Sequence, residues 1–185
     1  MAKMYFRYGV VSSAKTLNLL ATLHNYELQG KKAILIKPAF DTRSTKVESR
    51  AGLSHEADII LKDSDFIYSH IELIKDCDAI LVDEVQFLTS FQIRELRSIS
   101  IGKELDKEIP VLCYGLRTKS DATLWPCIVE LMALADSIEE IKTTCTYCNH
   151  KAIFSKALQN TDEHGINISW EGFVPVCAKH YYSGT

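Results

Sequence analysis

Two kinds of apolar pattern alternate along this chain. Short continuous runs such as Ala79-Ile80-Leu81-Val82 have the length and composition of buried parallel strands. Longer stretches repeat at three and four residues, as in Leu17, Leu20, Ala21, Leu23, His24 and Leu28, which Gly30 closes. Strands are predicted near residues 3–8, 32–37, 58–61, 79–83, 109–114 and 137–142. Helices are predicted near 15–29, 66–76, 88–106 and 122–135, with Pro126 restricting where the last can begin. Alternation of this kind predicts an α/β fold, a mostly parallel sheet with helices on both faces. Asp41 to Ser54 is polar and charged and reads as a mobile loop. From Thr143 the pattern turns to short, turn-rich pieces, so the expected units are 1–142 and 143–185. Neither internal repeats nor low-complexity tracts are present.

Composition narrows the class. A chain of 185 residues, 46% hydrophobic and 24% charged, suits one medium globular domain with a small appendage, burying roughly 70% of its unfolded surface. A net charge of −3 argues against a surface that coats nucleic acid, while leaving room for a local basic patch. The apolar runs are strand-sized and predict no membrane span, and no basic-then-apolar leader opens the sequence. Cys77, Cys113 and Cys127 lie in or beside apolar stretches and read as inert buried thiols. Cys145, Cys148 and Cys177 are spaced for metal rather than for disulfides, which suits a reducing, cytoplasmic setting.

Candidate chemistry begins where the first strand ends. Gly9-Val10-Val11-Ser12-Ser13-Ala14-Lys15-Thr16 joins that strand to the first helix. It is a phosphate-binding loop with alanine where glycine usually precedes the lysine. Backbone N–H groups at the helix start, including those of Gly9, Ser12, Ser13 and Ala14, would cradle phosphate. Lys15 would neutralise the outer phosphates, and the Thr16 hydroxyl would sit on magnesium. If position 14 needs a positive φ, its alanine costs roughly 1–2 kcal/mol. About seventy residues later, Asp83 and Glu84 follow the strand 79–82 directly. Ligands of open α/β sheets bind outside the carboxyl ends of strands. On an extended segment adjacent side chains oppose each other, so one acid can hold magnesium while the other faces substrate. Taken alone, the pair could equally be two solvated acids. With the upstream loop, nucleotide binding is the favoured reading.

Cys145-Thr-Tyr-Cys148 and Cys177-Ala-Lys-His180 form two ligand pairs with 28 residues between them. Four such donors close a tetrahedral shell around a structural zinc. His150 is an alternative fourth ligand, though His180 fits the pair spacing better. A zinc ribbon can contact nucleic acid, but Asp162, Glu163 and Glu171 inside the intervening loop argue against it here.

Together these segments resemble the zinc-containing thymidine kinases, the type II family, over nearly the full length. The resemblance rests on the Lys15-Thr16 loop, Lys37-Pro38-Ala39-Phe40-Asp41-Thr42-Arg43, Ser49-Arg50-Ala51-Gly52 and Val82-Asp83-Glu84-Val85-Gln86-Phe87. Val111 to Thr118, the cysteine–histidine quartet and Lys179-His180-Tyr181 complete it. It implies a P-loop NTPase-type sheet with a small C-terminal zinc-binding lasso, and ATP-dependent phosphorylation of the 5′-hydroxyl of thymidine. It implies ATP and magnesium held by the loop with Asp83 and Gln86, Glu84 as general base, and Asp41 and Arg43 beside the transferring phosphoryl. It further implies that Phe87 stacks on thymine, and that Leu116, Ser120, Trp125, Ile168 and Phe173 line the base. The segment from about Asn160 to Val176 would close as the lasso. A cytoplasmic homotetramer with feedback inhibition by thymidine triphosphate is also implied.

Departures from the family pattern cluster around the base. Ser120 stands where an aromatic is usual, and Trp125 sits at a second aromatic position. Ser169-Trp170 replaces a glycine-containing turn, Phe173 replaces tyrosine, and Pro175 lacks an N–H. Loss of one stacking ring costs roughly 1–3 kcal/mol, so a shifted nucleoside preference is one alternative. A non-catalytic nucleotide-binding protein is a second, although such a protein has no need of Glu84. A P-loop ATPase, or another nucleotide kinase, with a zinc ribbon on nucleic acid is a third.

Overall fold

The computed structural model describes residues 2–40, 45–103, 105–158 and 172–183. In chain order its elements are β1 (Met4–Tyr8), α1 (Lys15–Leu28), β2 (Ala33–Pro38), β3 (Lys46–Glu48), β4 (Ser54–Glu56) and β5 (Ile59–Leu61). A 3₁₀ turn (Ile67–His70) leads into α2 (Ile71–Ile74), followed by β6 (Ala79–Val82) and a second 3₁₀ turn (Val85–Phe87). Then come α3 (Ser90–Ser100), β7 (Val111–Gly115), α4 (Pro126–Leu134), β8 (Ser137–Glu140), β9 (Phe154–Ala157), β10 (Phe173–Val176) and α5 (Ala178–Tyr182).

Six strands form one sheet in the order β5-β2-β6-β7-β1-β8, and every pairing in it is parallel. β6 and β7 lie in its middle and are buried throughout, as their unbroken apolar sequences require. Strand alternation divides these residues between two cores. Ile80, Val82, Val111 and Cys113 pack with Ile93, Leu96 and Ile99 of α3 and Ile128 and Leu131 of α4. Leu35, Leu81, Leu112 and Tyr114 pack on the opposite face with Leu19, Leu20 and Leu23 of α1. The expected parallel sheet with helices on both faces is therefore present.

Several expectations need correction. The expected helix over 66–76 is a 3₁₀ turn running into one turn of α-helix. The helix expected to reach 106 stops at Ser100, where the chain turns through Gly102 at a φ of 74°. Part of the expected mobile loop 41–54 belongs to a hairpin in which Lys46–Glu48 pairs antiparallel with Ser54–Glu56. Only Val47 of the first hairpin strand is buried, so the polar composition concealed it. Pro126 does open α4, at a position where its missing N–H costs nothing.

The C-terminal pieces form an antiparallel pair, β9 with β10, followed by the short α5. Cys145, Val176 and Cys177 make a small core of their own with Cys148, Phe154, Val174 and Tyr181.

α3, which follows the strand-end acids, starts on a capping box: Gln92 N donates to Thr89 Oγ1, and Thr89 N donates to Gln92 Oε1. Thr89→Ala should lower stability by about 1 kcal/mol, read as a lower urea midpoint at unchanged slope.

Candidate active site

The loop between β1 and α1 is tight because glycine permits it. A Cβ on Gly9 would lie 2.2 Å from Ser13 Oγ and 2.6 Å from the Ile141 carbonyl oxygen. Ser12 and Ala14 adopt left-handed φ of 58° and 64°. Position 14 thus does need a positive φ, and its alanine carries the expected strain of about 1–2 kcal/mol. Lys15 opens α1, is buried, and donates from Nζ to the Val10 carbonyl at 2.8 Å inside the loop. Ser13 Oγ is buried with no hydrogen-bond partner among the described residues. A glycine-lined cradle with an orphaned hydroxyl and a buried ammonium has the donors that a chain of phosphates requires.

The acids stand on a turn. β6 ends at Val82, and Glu84 has φ 49° and ψ 41°. A left-handed turn therefore separates the two carboxylates, in place of the strand alternation inferred from sequence. Asp83 is buried, and Thr16 Oγ1 donates to its carboxylate oxygens at 3.2 and 3.4 Å. Burial raises the Asp83 pKa well above the usual carboxylate range, and the charge of Glu84 adds to this while Lys15 opposes it. Burial lowers the Lys15 pKa, with Glu84 and Asp83 working against the shift and Arg50 adding to it. Thr16 and Asp83 offer hard oxygen donors in the set that magnesium takes.

Gln86 ties this turn to the neighbouring strand. Its Nε2 donates to Glu84, and its Oε1 accepts from Leu116 N at 2.9 Å, just past β7. Gly115 makes room for it, since a Cβ there would lie 2.4 Å from Gln86 Oε1 and 2.8 Å from Val85 Cγ1. The amide of Gln86, expected on the cofactor, is thus engaged in holding Glu84 and the Leu116 backbone.

Beyond Glu84 lies an aromatic group. Phe87 stacks on Phe40 at 4.4 Å with 7° between planes and meets Trp125 edge-on at 5.3 Å. Lys119 Nζ stands 5.4 Å over the Trp125 ring. Ser120 contributes its carbonyl to the Tyr181 hydroxyl at 2.6 Å. Phe173 lies on β10 opposite Ala157. Asp41, Arg43 and Ile168 fall outside the described residues, as does most of the expected lasso.

The ligand atoms of Cys145, Cys148, Cys177 and His180 lie within 4.8 Å of one another. The sulfurs of Cys148 and Cys177 are 3.7 Å apart, and His180 Nδ1 is 3.4, 3.6 and 3.4 Å from Cys145, Cys148 and Cys177. Tetrahedral zinc with its ordinary bond lengths sets these spacings at about 3.8 and about 3.5 Å. The four donors fit zinc, and His180 rather than His150 completes the group. Burial opposes ionisation of Cys145, but hydrogen bonds from the backbone and from His180 outweigh it and bring the thiol down to about 6. Cys77, Cys113 and Cys127 are buried, and desolvation pushes each thiol pKa upward.

Three contacts had no counterpart in the sequence reading. Arg50 Nη1 donates to Ser12 Oγ at 2.6 Å, Val11 N donates to Ser155 Oγ at 3.1 Å, and Phe40 covers Phe87. Arg50 stood in a segment that carried the resemblance, but nothing local to it signalled the phosphate loop as its neighbour.

The family model described as Thymidine kinase matches residues 2–181. A thymidine kinase of Francisella tularensis is 36% identical over 200 residues, covering 100% of this chain and 98% of its own. Thymidine kinases of Streptococcus agalactiae and Streptococcus pyogenes are each 36% identical, over 192 and 190 residues, covering 99% of this chain and 98% of theirs.

Gly115→Ala should cost on the order of 1–3 kcal/mol in urea unfolding through overpacking against Gln86 and Val85. In a Gln86→Ala background the same change should cost measurably less, a coupling that a double-mutant cycle reads directly.

Proposed function

The chain belongs to the thymidine kinase family and phosphorylates thymidine, and on that premise we propose that magnesium-ATP donates the phosphoryl group to the 5′-hydroxyl. The observation that carries this reading is the meeting of Thr16 with Asp83 beside buried Lys15. Two segments about seventy residues apart there present one ammonium and two oxygen donors to a single cradle.

In this reading the backbone amides of residues 9–16 and Lys15 hold the donor's phosphates, and Thr16 and Asp83 hold the magnesium. The ion neutralises charge on the phosphate oxygens. Glu84, held by Gln86, accepts the proton of the 5′-hydroxyl as that oxygen bonds to the terminal phosphorus. The bond from phosphorus to the bridging oxygen breaks, and the donor leaves as the diphosphate. Such a base contributes roughly 10²–10⁴-fold. Asp41 and Arg43 are assigned beside the transferring group on the strength of the resemblance alone.

For the base we propose the apolar wall of Phe87, Trp125 and Leu116, with Ser120, Phe173 and Ile168 at its margin. The segment 143–185 closes over it as a lasso anchored by one structural zinc. The Tyr181 contact with Ser120 supports this, because it ties the helix bearing His180 to the loop bearing Trp125. A homotetramer in the cytoplasm completes the proposal; among the described residues, no helix is long and apolar enough to cross a membrane.

A transfer assay with magnesium-ATP and a panel of thymidine, deoxyuridine and deoxycytidine should give phosphorylated thymidine, and absence of transfer to thymidine overturns the reading. Glu84→Gln should lower kcat by at least about tenfold while ATP binding stays nearly intact; unchanged turnover removes Glu84 from the base role. Metal analysis should find one zinc per chain. Its chelation should raise KM for thymidine more than for ATP, whereas equal effects contradict the lasso assignment.

A further inference from the structure

We propose that Arg50 is a catalytic residue of the donor site, delivered by the β3–β4 hairpin to bind the outer phosphates together with Lys15. The proposal rests on the phosphate-loop reading above and adds to it a cation from a separate element.

The hairpin is anchored at its base and fixed at its tip. Val47 is buried against Leu19, Leu20 and Leu23 of α1. Lys37 Nζ donates to the Lys46 carbonyl at 3.0 Å, Ala57 N donates to the Thr45 carbonyl at 3.0 Å, and His55 Nε2 lies 3.2 Å from Glu27 of α1. At the tip, Ser49 N donates to the Leu53 carbonyl at 2.8 Å and Gly52 N to the Ser49 carbonyl at 2.9 Å. The buried Ser49 hydroxyl bonds both the N–H and the carbonyl of Leu53 at 3.2 Å. Gly52 closes the turn at a φ of 86°, where a side chain would be strained. This scaffold sets Arg50 in place, with Nη1 on Ser12 Oγ at 2.6 Å.

Ser12 is one of the two left-handed residues of the phosphate loop. Arg50 therefore sits on the loop's rim, close enough to Lys15 for its charge to disfavour the ammonium there. Arg50 and Lys15 thus reach one loop from two separate elements, the β3–β4 hairpin and α1, and a polyanion lying in that loop meets both cations. The planar guanidinium fork matches phosphate oxygens in a way that an ammonium does not.

The test compares Arg50→Ala, Arg50→Lys and Lys15→Ala with the wild-type enzyme, using magnesium-ATP and thymidine as probes. Arg50→Ala should lower kcat/KM for ATP by at least about tenfold while KM for thymidine stays within about threefold. Guanidinium ion at millimolar concentration should restore part of the loss, and the lysine variant should recover only a fraction. If Arg50→Ala melts early, Arg50→Lys carries the comparison. A kcat/KM for ATP within about threefold of wild type, or equal effects on both substrates, overturns the role of Arg50. If Lys15→Ala is inactive while Arg50→Ala is normal, the loop reading stands and this inference falls. If neither change affects ATP use, both fall.

Discussion

The structure depends on how closely the chain can approach itself at the ends of β1 and β7. Gly9 N donates to the Gly115 carbonyl at 3.2 Å, and neither residue can carry a side chain without colliding with its surroundings. Gly9 brings the phosphate loop down against Ser13 and the chain leaving β8. Gly115 lets Gln86 lie against the backbone beyond β7. One backbone contact thus sets the height of the loop, and its neighbour sets the position of the amide that holds Glu84. Thr16 of α1, which follows β1, reaches Asp83, which follows β6, across β7, the strand that lies between them.

The C-terminal region is keyed to the same two places. Ser155 of β9 accepts from Val11 in the phosphate loop, and Tyr181 of α5 donates to Ser120 in the loop before α4. Phe154, beside Ser155, stacks on Tyr181 at 4.3 Å, so the two contacts share one small hydrophobic support. That support is too small to order its chain segments by burial alone, since each ordered residue costs about 1–2 kcal/mol of backbone entropy. A tetrahedral metal drawing together residues 145, 148, 177 and 180 can supply on the order of 10 kcal/mol. The cluster is far from the phosphate loop in sequence, yet through Ser155 and Tyr181 it is tied both to that loop and to the loop before α4.

What the sequence made legible, and what it hid, follows from the range of each signal. The buried strands were readable because continuous apolar runs have few other uses, and the zinc quartet because ligand pairs at fixed spacing are self-contained. The meeting of Thr16 with Asp83 beside Lys15 was readable because the loop and the strand-end acids are each local motifs. The hairpin carrying Arg50 was not, since its only buried residue in the first strand is Val47, and a lone apolar residue among Lys46, Glu48 and Ser49 has no period. The left-handed turn at Glu84 left no trace either, because glutamate gives no local sign of a positive φ. Phe40 reads as an ordinary residue after a strand; its stacking on Phe87 is a tertiary fact. Of the positions to which the family resemblance gives roles, Asp41, Arg43, Ile168 and most of the lasso from about Asn160 to Val176 lie outside the described residues.

Three non-glycine residues of this site, Ser12, Ala14 and Glu84, hold left-handed φ, each at a cost of roughly 1–2 kcal/mol. Strain of this kind persists only where surrounding structure over-determines it. Here the over-determination comes from both sides of the sheet. α1 is pinned by Leu19, Leu20 and Leu23 in one core, and Val85 is pinned by the other. The electrostatics are mixed: burial and Glu84 raise the Asp83 pKa while Lys15 opposes the rise, and burial lowers the Lys15 pKa while Glu84 and Asp83 oppose the fall and Arg50 adds to it. Strain and burial thus concentrate where the phosphate loop meets the turn after β6, and the packing on both faces of the sheet is what holds them there.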